Sequence, residues 1–230
     1  MKQIVIYGIN QQAQALCKML AIEGQAEVKA FSVDGDYFKE DKLLGRPVIT
    51  TDHLAGLYPP DKFEIALSFG YKNMVHNREE KFLLCKRLGY SLYTFISRNA
   101  AVYSDEIGEG CIIYPGTVIS PNVVIGKGCF FEIGCVIAHN TKVGDFNFFG
   151  PGVHFCGNIH TGKHCFFGSA SEVINNTEIG DDVFVAAGAK TGGTVKSRSA
   201  ILPPGSVLSK QSSFEMMEHM FKEKVGGRNQ

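Results

Sequence analysis

From residue 107 to residue 191 the bulky apolar positions recur at every sixth residue. The series runs Ile107, Ile113, Ile119, Ile125, Phe131, Ile137, Val143, Phe149, Phe155, Thr161, Phe167, Val173, Ile179, Val185 and Thr191, and only the two threonines depart from it in character. Four places after each member stands a mostly small residue, among them Cys111, Thr117, Cys129, Cys135, Thr141, Cys165, Ser171, Ala189 and finally Val195. A helix repeats its apolar face every 3.6 residues and a half-buried strand every two, so neither accounts for a period of six. Two inward positions per six residues is what a parallel coil of short strands needs, with three strands to each turn of about eighteen residues. The third place after each apolar residue is Gly, Asn or Asp at eleven of fifteen steps. These residues tolerate a left-handed backbone, so each rung turns a corner there. The pattern predicts a β-helix domain over residues 99–209 with five stacked coils.

The first 98 residues follow another rhythm. The apolar run IVIY, a turn at Gly8 and the helically spaced AQALCKMLAIEG stopped by Gly24 make one βα unit. EVKAFSVD, ending at Asp34, and FEIALSFG read as further strands, and MVHNREEKFLLCKRLG as an amphipathic helix stopped by Gly89. Strand and helix in alternation predict a short Rossmann-like parallel sheet over 1–98. SSFEMMEHMFKEK, within 210–230, has helical spacing and is expected to cap the coil.

Charge narrows the choice of partners. Twenty-three basic and 23 acidic residues balance, which leaves no global attraction to nucleic acid or anionic lipid. No apolar run approaches the ~20 residues of a membrane span, and MKQIVIYGIN reads as a strand rather than a signal peptide, so a cytoplasmic protein is expected. Seven cysteines without metal-type spacing read as reduced packing residues. His139, His154, His160 and His164 are not separated by eighteen, so they do not stack among themselves and no metal is expected.

The six-residue motif [LIV]-[GAED]-x-x-[STAV]-x is that of the hexapeptide-repeat acyltransferases, whose coil is left-handed, and the left hand is inferred from that likeness. Nearly the whole chain, with its Asp-ended second strand, Gly45–Ile49 stretch GRPVI and IAHN followed by GD, resembles the sugar acetyltransferases of the sialic-acid O-acetyltransferase and bacillosamine-pathway type. The resemblance implies a homotrimer that transfers acetyl from acetyl-CoA to the amine of a UDP- or dTDP-linked 4-amino-deoxy sugar in surface-glycan precursor synthesis. Two other readings stay open: an O-acetyltransferase on a sialic-acid-like sugar, and a trimeric nucleotide-sugar-binding relative without turnover.

Residue by residue, the resemblance makes His139 the general base, a role suited to an imidazole whose ordinary pKa of about 6.5 lies near neutrality. Asn140 follows it where the family often has an acid. Phe148 stands where the family has a histidine that helps hold the acetyl group. Gly157, Ala187 and Gly188 match positions lining the CoA channel. Gly8, Ile9, Asn10 and Gln11 match the phosphate loop, although only the first glycine of the family's GxxGHG-like turn is kept, and Asp34 and Asp36 match an acidic pair beside the nucleoside. The alternative for His139 is a corner residue with no chemistry.

Overall fold

A computed structural model of the chain describes residues 2–68 and 73–205; the helix expected within 210–230 lies outside the described residues. The N-terminal unit contains β1 (Lys2–Tyr7), α1 (Gln11–Glu23), β2 (Ala26–Val33), a 3-10 turn (Gly35–Tyr37), β3 (Lys42–Leu43), β4 (Arg46–Thr50), α2 (Thr51–Leu57), β5 (Glu64–Leu67) and α3 (His76–Arg87). The sheet order is β3-β4-β2-β1-β5, parallel except at β3. Asn10 caps α1 by accepting from the Ala13 amide at 2.9 Å, and Gly24 ends it with φ of 61°. The stretch GRPVI largely becomes β4, in register with β2 through Phe31 and Val48. Helix α3 starts later than the sequence pattern suggests, because Met74 and Val75 take positive φ of 46° and 58°.

Past the sheet edge the chain begins to coil at Phe95–Ile96, which pairs in parallel with Ile112–Ile113. Three flat faces result, with seven, six and six rungs among the described residues, nineteen where five coils supply fifteen. The four extra rungs are Phe95–Ile96 and Ala101–Val102 ahead of the regular series, and Thr194–Val195 and Ala200–Ile201 after it. Every corner foreseen from Gly110 to Gly188 has positive φ, even at Phe146, His164 and Ala170, where a side chain disfavours it.

The register does change near the end. Val195 pairs with Ile179, sixteen residues earlier instead of eighteen, so it joins the bulky row and not the small-residue row expected for it. The corner moves correspondingly to Gly193, φ 71°. Inside the coil the large rings stack through successive turns, Phe131 to Phe149 at 4.3 Å and Phe149 to Phe167 at 4.9 Å between centroids. All seven cysteines are free, and Cys111, Cys129, Cys135 and Cys165 are buried in the slots expected for them. Coils pack so closely that a Cβ at Gly108 or Gly144 would come within 2.4 Å of the next coil's backbone.

The coil has three edges with different fates. One carries Gly116, Gly134, Gly152, Ala170 and Gly188, and a second carries Asn122, Asn140, Asn158 and Asn176, all four exposed. The third, Gly110, Gly128, Phe146, His164 and Asp182, lies under α3. There Phe82 meets Phe146 edge to face at 5.3 Å. The fully buried Arg78 guanidinium donates to the carbonyls of Leu67, Gly110 and Gly128 and lies 5.3 Å from the Phe130 ring. Burial pushes its pKa down to about 10. At the top of the coil the Glu23 carboxylate accepts from Ser97 Oγ and the Arg98 amide, tying the end of α1 to the first coil.

Candidate active site

His139 lies two residues past the strand Val136–Ile137, just ahead of the Asn140 corner, whose φ of 55° turns the chain. The imidazole is exposed, as an outward corner residue should be. It lies over Gly157, the equivalent residue one coil on: a Cβ at Gly157 would sit 2.5 Å from His139 Cε1 and 2.7 Å from Nε2. Gly157 is absent from the positive-φ residues. Its lack of a side chain therefore serves close approach, here of an imidazole, rather than a turn. The Gly157 amide donates to Asn175 Oδ1 at 2.8 Å, which fixes the peptide under the ring. Two residues proposed for separate roles, base and channel lining, are thus in contact.

Asn140 is engaged elsewhere. Its Nδ2 donates to Asn158 Oδ1 at 3.1 Å, its Oδ1 receives Asn122 Nδ2 at 3.4 Å, and Asn158 continues the ladder to Asn176 at 3.1 Å. Among the described residues no carboxylate binds the His139 ring. Beside it runs an open groove of about 490 Å³ lined by the four asparagines with Lys142, His160 and Glu178. His160 Nδ1 faces Glu178 at 2.9 Å.

The other foreseen residues are distributed over the molecule. Phe148 is buried, 3% exposed, in a column of parallel rings between Phe130 at 5.3 Å and Phe166 at 5.5 Å, under the N-terminal unit. Ala187 and Gly188 are exposed on the first edge, Gly188 at a corner with φ 70°. Gly8, Ile9, Asn10 and Gln11 form the β1–α1 turn at the crest of the parallel sheet, beside β5 where the strand order reverses, which is the usual ligand crevice of such sheets. Gly8 has φ 121° and donates to the Ser32 carbonyl at 2.8 Å. Asn10 spends its oxygen on the helix cap, while Gln11 is exposed.

Asp34 and the exposed Asp36 flank the same crest. Asp34 accepts from the Tyr7 hydroxyl, from Thr51 Oγ1 at 3.3 Å and pairs with Lys81 Nζ at 3.0 Å. Burial works to raise its pKa, but the Tyr7 and Lys81 hydrogen bonds and the Lys81 charge hold it below the usual carboxylate range. Burial and Asp34 together push the Tyr7 hydroxyl upward. Tyr7, Thr51 and Lys81 were not visible as partners in the sequence, since 17 to 47 residues separate them from Asp34. Gln12 was also missed: its amide reaches Glu132 on the coil at 2.9 Å, and its carbonyl accepts from Tyr114. Burial raises the Glu132 pKa against that hydrogen bond.

No family model and no curated protein matches the chain. Among solved structures it is similar to the acetyltransferase domain of PglB from Neisseria gonorrhoeae, with TM-score 0.78 and 22% identity over 89% of this chain and 100% of that one. PerB from Caulobacter crescentus, in complex with CoA and GDP-perosamine, gives TM-score 0.78 and 22% identity over 89% and 98% of the two chains. WeeI from Acinetobacter baumannii gives TM-score 0.75 and 24% identity over 88% and 100%. The shared architecture is an α/β unit followed by a left-handed parallel β-helix.

Proposed function

We propose that the chain is an acetyl-CoA-dependent N-acetyltransferase acting on the amine of a nucleoside-diphosphate-linked 4-amino sugar, with His139 as general base. The reading rests foremost on the imidazole seated over Gly157, a glycine that the backbone conformation does not require and the ring does. In the reaction the amine nitrogen attacks the thioester carbonyl, the C–N bond forms, the C–S bond breaks, and CoA leaves as thiolate. His139 takes the proton that the nitrogen sheds.

That no carboxylate binds the His139 ring among the described residues bears on the acceptor. A hydroxyl nucleophile needs its proton removed as it attacks, which favours a base strengthened by a carboxylate. A neutral amine is already nucleophilic, so a base without one suffices when proximity supplies much of the rate. A base without a carboxylate, with Asn140 next in the chain, therefore favours N- over O-acetylation. The fold is shared with PerB, which holds CoA and GDP-perosamine, and this supports the substrate class.

The sheet crest with Gly8, Gln11, Asp34 and Asp36 is proposed to receive the nucleotide, and Gly157 beside the asparagine edge, with Ala187 and Gly188 on the first edge, to receive CoA. These places lie on different edges of one chain, so a homotrimer is proposed, in which one copy's bare edge meets another copy's coil. The work would be cytoplasmic synthesis of a surface-glycan precursor.

The test is release of free thiol from acetyl-CoA with UDP-, dTDP- and GDP-linked 4-amino sugars. One sugar of the panel is expected to support turnover, and His139→Ala to lower kcat by about 10²- to 10⁴-fold. Turnover unchanged in His139→Ala would sink the assignment of the base. Saturable nucleotide-sugar binding without thiol release would favour the non-catalytic relative instead.

A further inference from the structure

Two imidazoles and a carboxylate converge where α3 meets the coil. His76 opens the helix, while His164 and Asp182 hold successive corners of the covered edge, eighteen residues apart. His76 Nε2 lies 2.7 Å from Asp182 Oδ1, and His164 Nδ1 lies 3.8 Å from the same oxygen. One donor atom from each of the three falls within 4.8 Å of the others. Bonds of about 2.0–2.1 Å in a tetrahedral zinc site place ligands about 3.3–3.4 Å apart, inside that spread.

His164 supplies an independent observation. It is only 2% exposed, and among the described residues neither ring nitrogen has an aligned hydrogen-bond partner. Glu79 Oε2 stands 2.8 Å from Nε2 but out of line. A buried imidazole in a corner position that disfavours any side chain, with short yet unaligned oxygen neighbours, is poorly explained as packing.

We propose that His76 Nε2, His164 Nδ1 and Asp182 form a divalent-cation site of zinc type, in which a small turn of the Glu79 carboxylate, 2.8 Å from His164 Nε2, brings it into line to accept that proton. Two imidazoles and one carboxylate suit zinc better than magnesium or calcium, and a carboxylate behind the ligating histidine is the usual support. His76 and Asp182 are 43% and 23% exposed, which leaves water a fourth position and the ion a route of entry. Bound there, the ion clamps α3, and with it the N-terminal unit, to the coil.

The full-length protein, stripped with chelator and desalted, should bind one equivalent of Zn²⁺ by calorimetry. Its melting midpoint should rise roughly 5–10 °C at a hundred-fold excess over Kd. Co²⁺ should give the visible absorption of a four-coordinate site. His164→Asn and Asp182→Asn keep residues that suit the corner, and each should weaken binding at least tenfold, whereas His154→Ala should not. His76→Ala alters a half-exposed residue and carries the test should a corner variant fail to fold. No saturable equivalent of Zn²⁺ or Co²⁺, or one equivalent bound unchanged in His76→Ala and His164→Asn, would overturn the proposal.

Discussion

The bare and covered edges of the coil have the same backbone and opposite uses. Corner φ values are 55–58° at Asn140, Asn158 and Asn176 on one and 56–58° at Phe146, His164 and Asp182 on the other. The backbone thus fixes where a side chain stands without fixing what it does. On the covered edge the corners hold the N-terminal unit: Phe146 receives Phe82, the carbonyls of Gly110 and Gly128 receive Arg78, and His164 and Asp182 receive α3's first turn. The bare edge carries an exposed imidazole and an asparagine ladder whose side chains bond to one another. A repeating scaffold can therefore separate stability from chemistry by edge, which can be tested one residue at a time.

The largest effect is expected on the covered edge. Arg78→Met removes the three hydrogen bonds of a buried guanidinium and leaves carbonyls of Leu67, Gly110 and Gly128 without that donor. A loss of about 3–5 kcal/mol is expected, from the cost of leaving buried polar groups unpaired. Thermal melting should fall by about 10 °C or more. A change under ~2 °C would mean that the seam does not depend on this residue.

On the bare edge the sign of the separation reverses. Gly157→Ala places a Cβ 2.5 Å from His139 Cε1, and the ring has solvent to move into, so stability should change little. Displacing the base by about 1 Å should cost roughly ten- to hundred-fold in kcat. Equal loss in melting temperature and turnover would show that the column is structural and erase the contrast between edges.

How much of this was legible follows from where the information lies. The six-residue period carries the coil's interior, its corners and the outward placement of His139, because those depend on local spacing. The docking of α3 was not legible, since Arg78 meets Gly128 across 50 residues and His76 meets Asp182 across 106. A trace of it was present, since Phe146 and His164 break the Gly, Asn and Asp rule at corners of the covered edge, but Ala170 breaks it on an uncovered edge, so the breaks alone do not mark the docking surface. The shortened turn at Val195 escaped because its spacing from Thr191 mimics the small-residue slot. Asn10 and Asp34 looked free for ligand because their partners, a helix amide and Lys81, are visible only in three dimensions.

A smaller effect on the covered edge is pH-dependent. Glu109 accepts from the Leu92 amide at 2.9 Å and pairs with Lys86 at 2.9 Å. Burial works to raise its pKa, but the Leu92 amide and Lys86 outweigh it and hold the pKa below normal. A depressed folded pKa contributes stability that is present above the unfolded value, about 4.3, and lost as pH falls through the folded one. Because the carboxylate is 39% exposed, solvent screening keeps the contribution near 1 kcal/mol or less. Glu109→Gln should therefore lower the melting midpoint slightly at pH 7, by an amount that shrinks as pH falls below about 4.3. An equal decrease at pH 7 and near pH 3 would assign the loss to packing rather than charge.

The smallest effect tests the asparagine ladder itself. Asn158 accepts from Asn140 and donates to Asn176, each at 3.1 Å, with its side chain in water and its φ at 58°. Exposed side-chain hydrogen bonds compete with solvent and contribute at most ~0.5 kcal/mol each. Asn158→Gly removes both while keeping the left-handed corner accessible, so it should cost under ~1 kcal/mol. Asn158→Ala removes the same bonds and adds a Cβ where the backbone disfavours one, so it should cost about 1 kcal/mol more. That difference, read from two denaturation curves, measures the corner's conformational demand apart from its side chain. If the two variants prove equally stable, the corner tolerates any side chain at no cost, and Phe146 and His164 are no longer evidence that the covered edge selects its residues against strain.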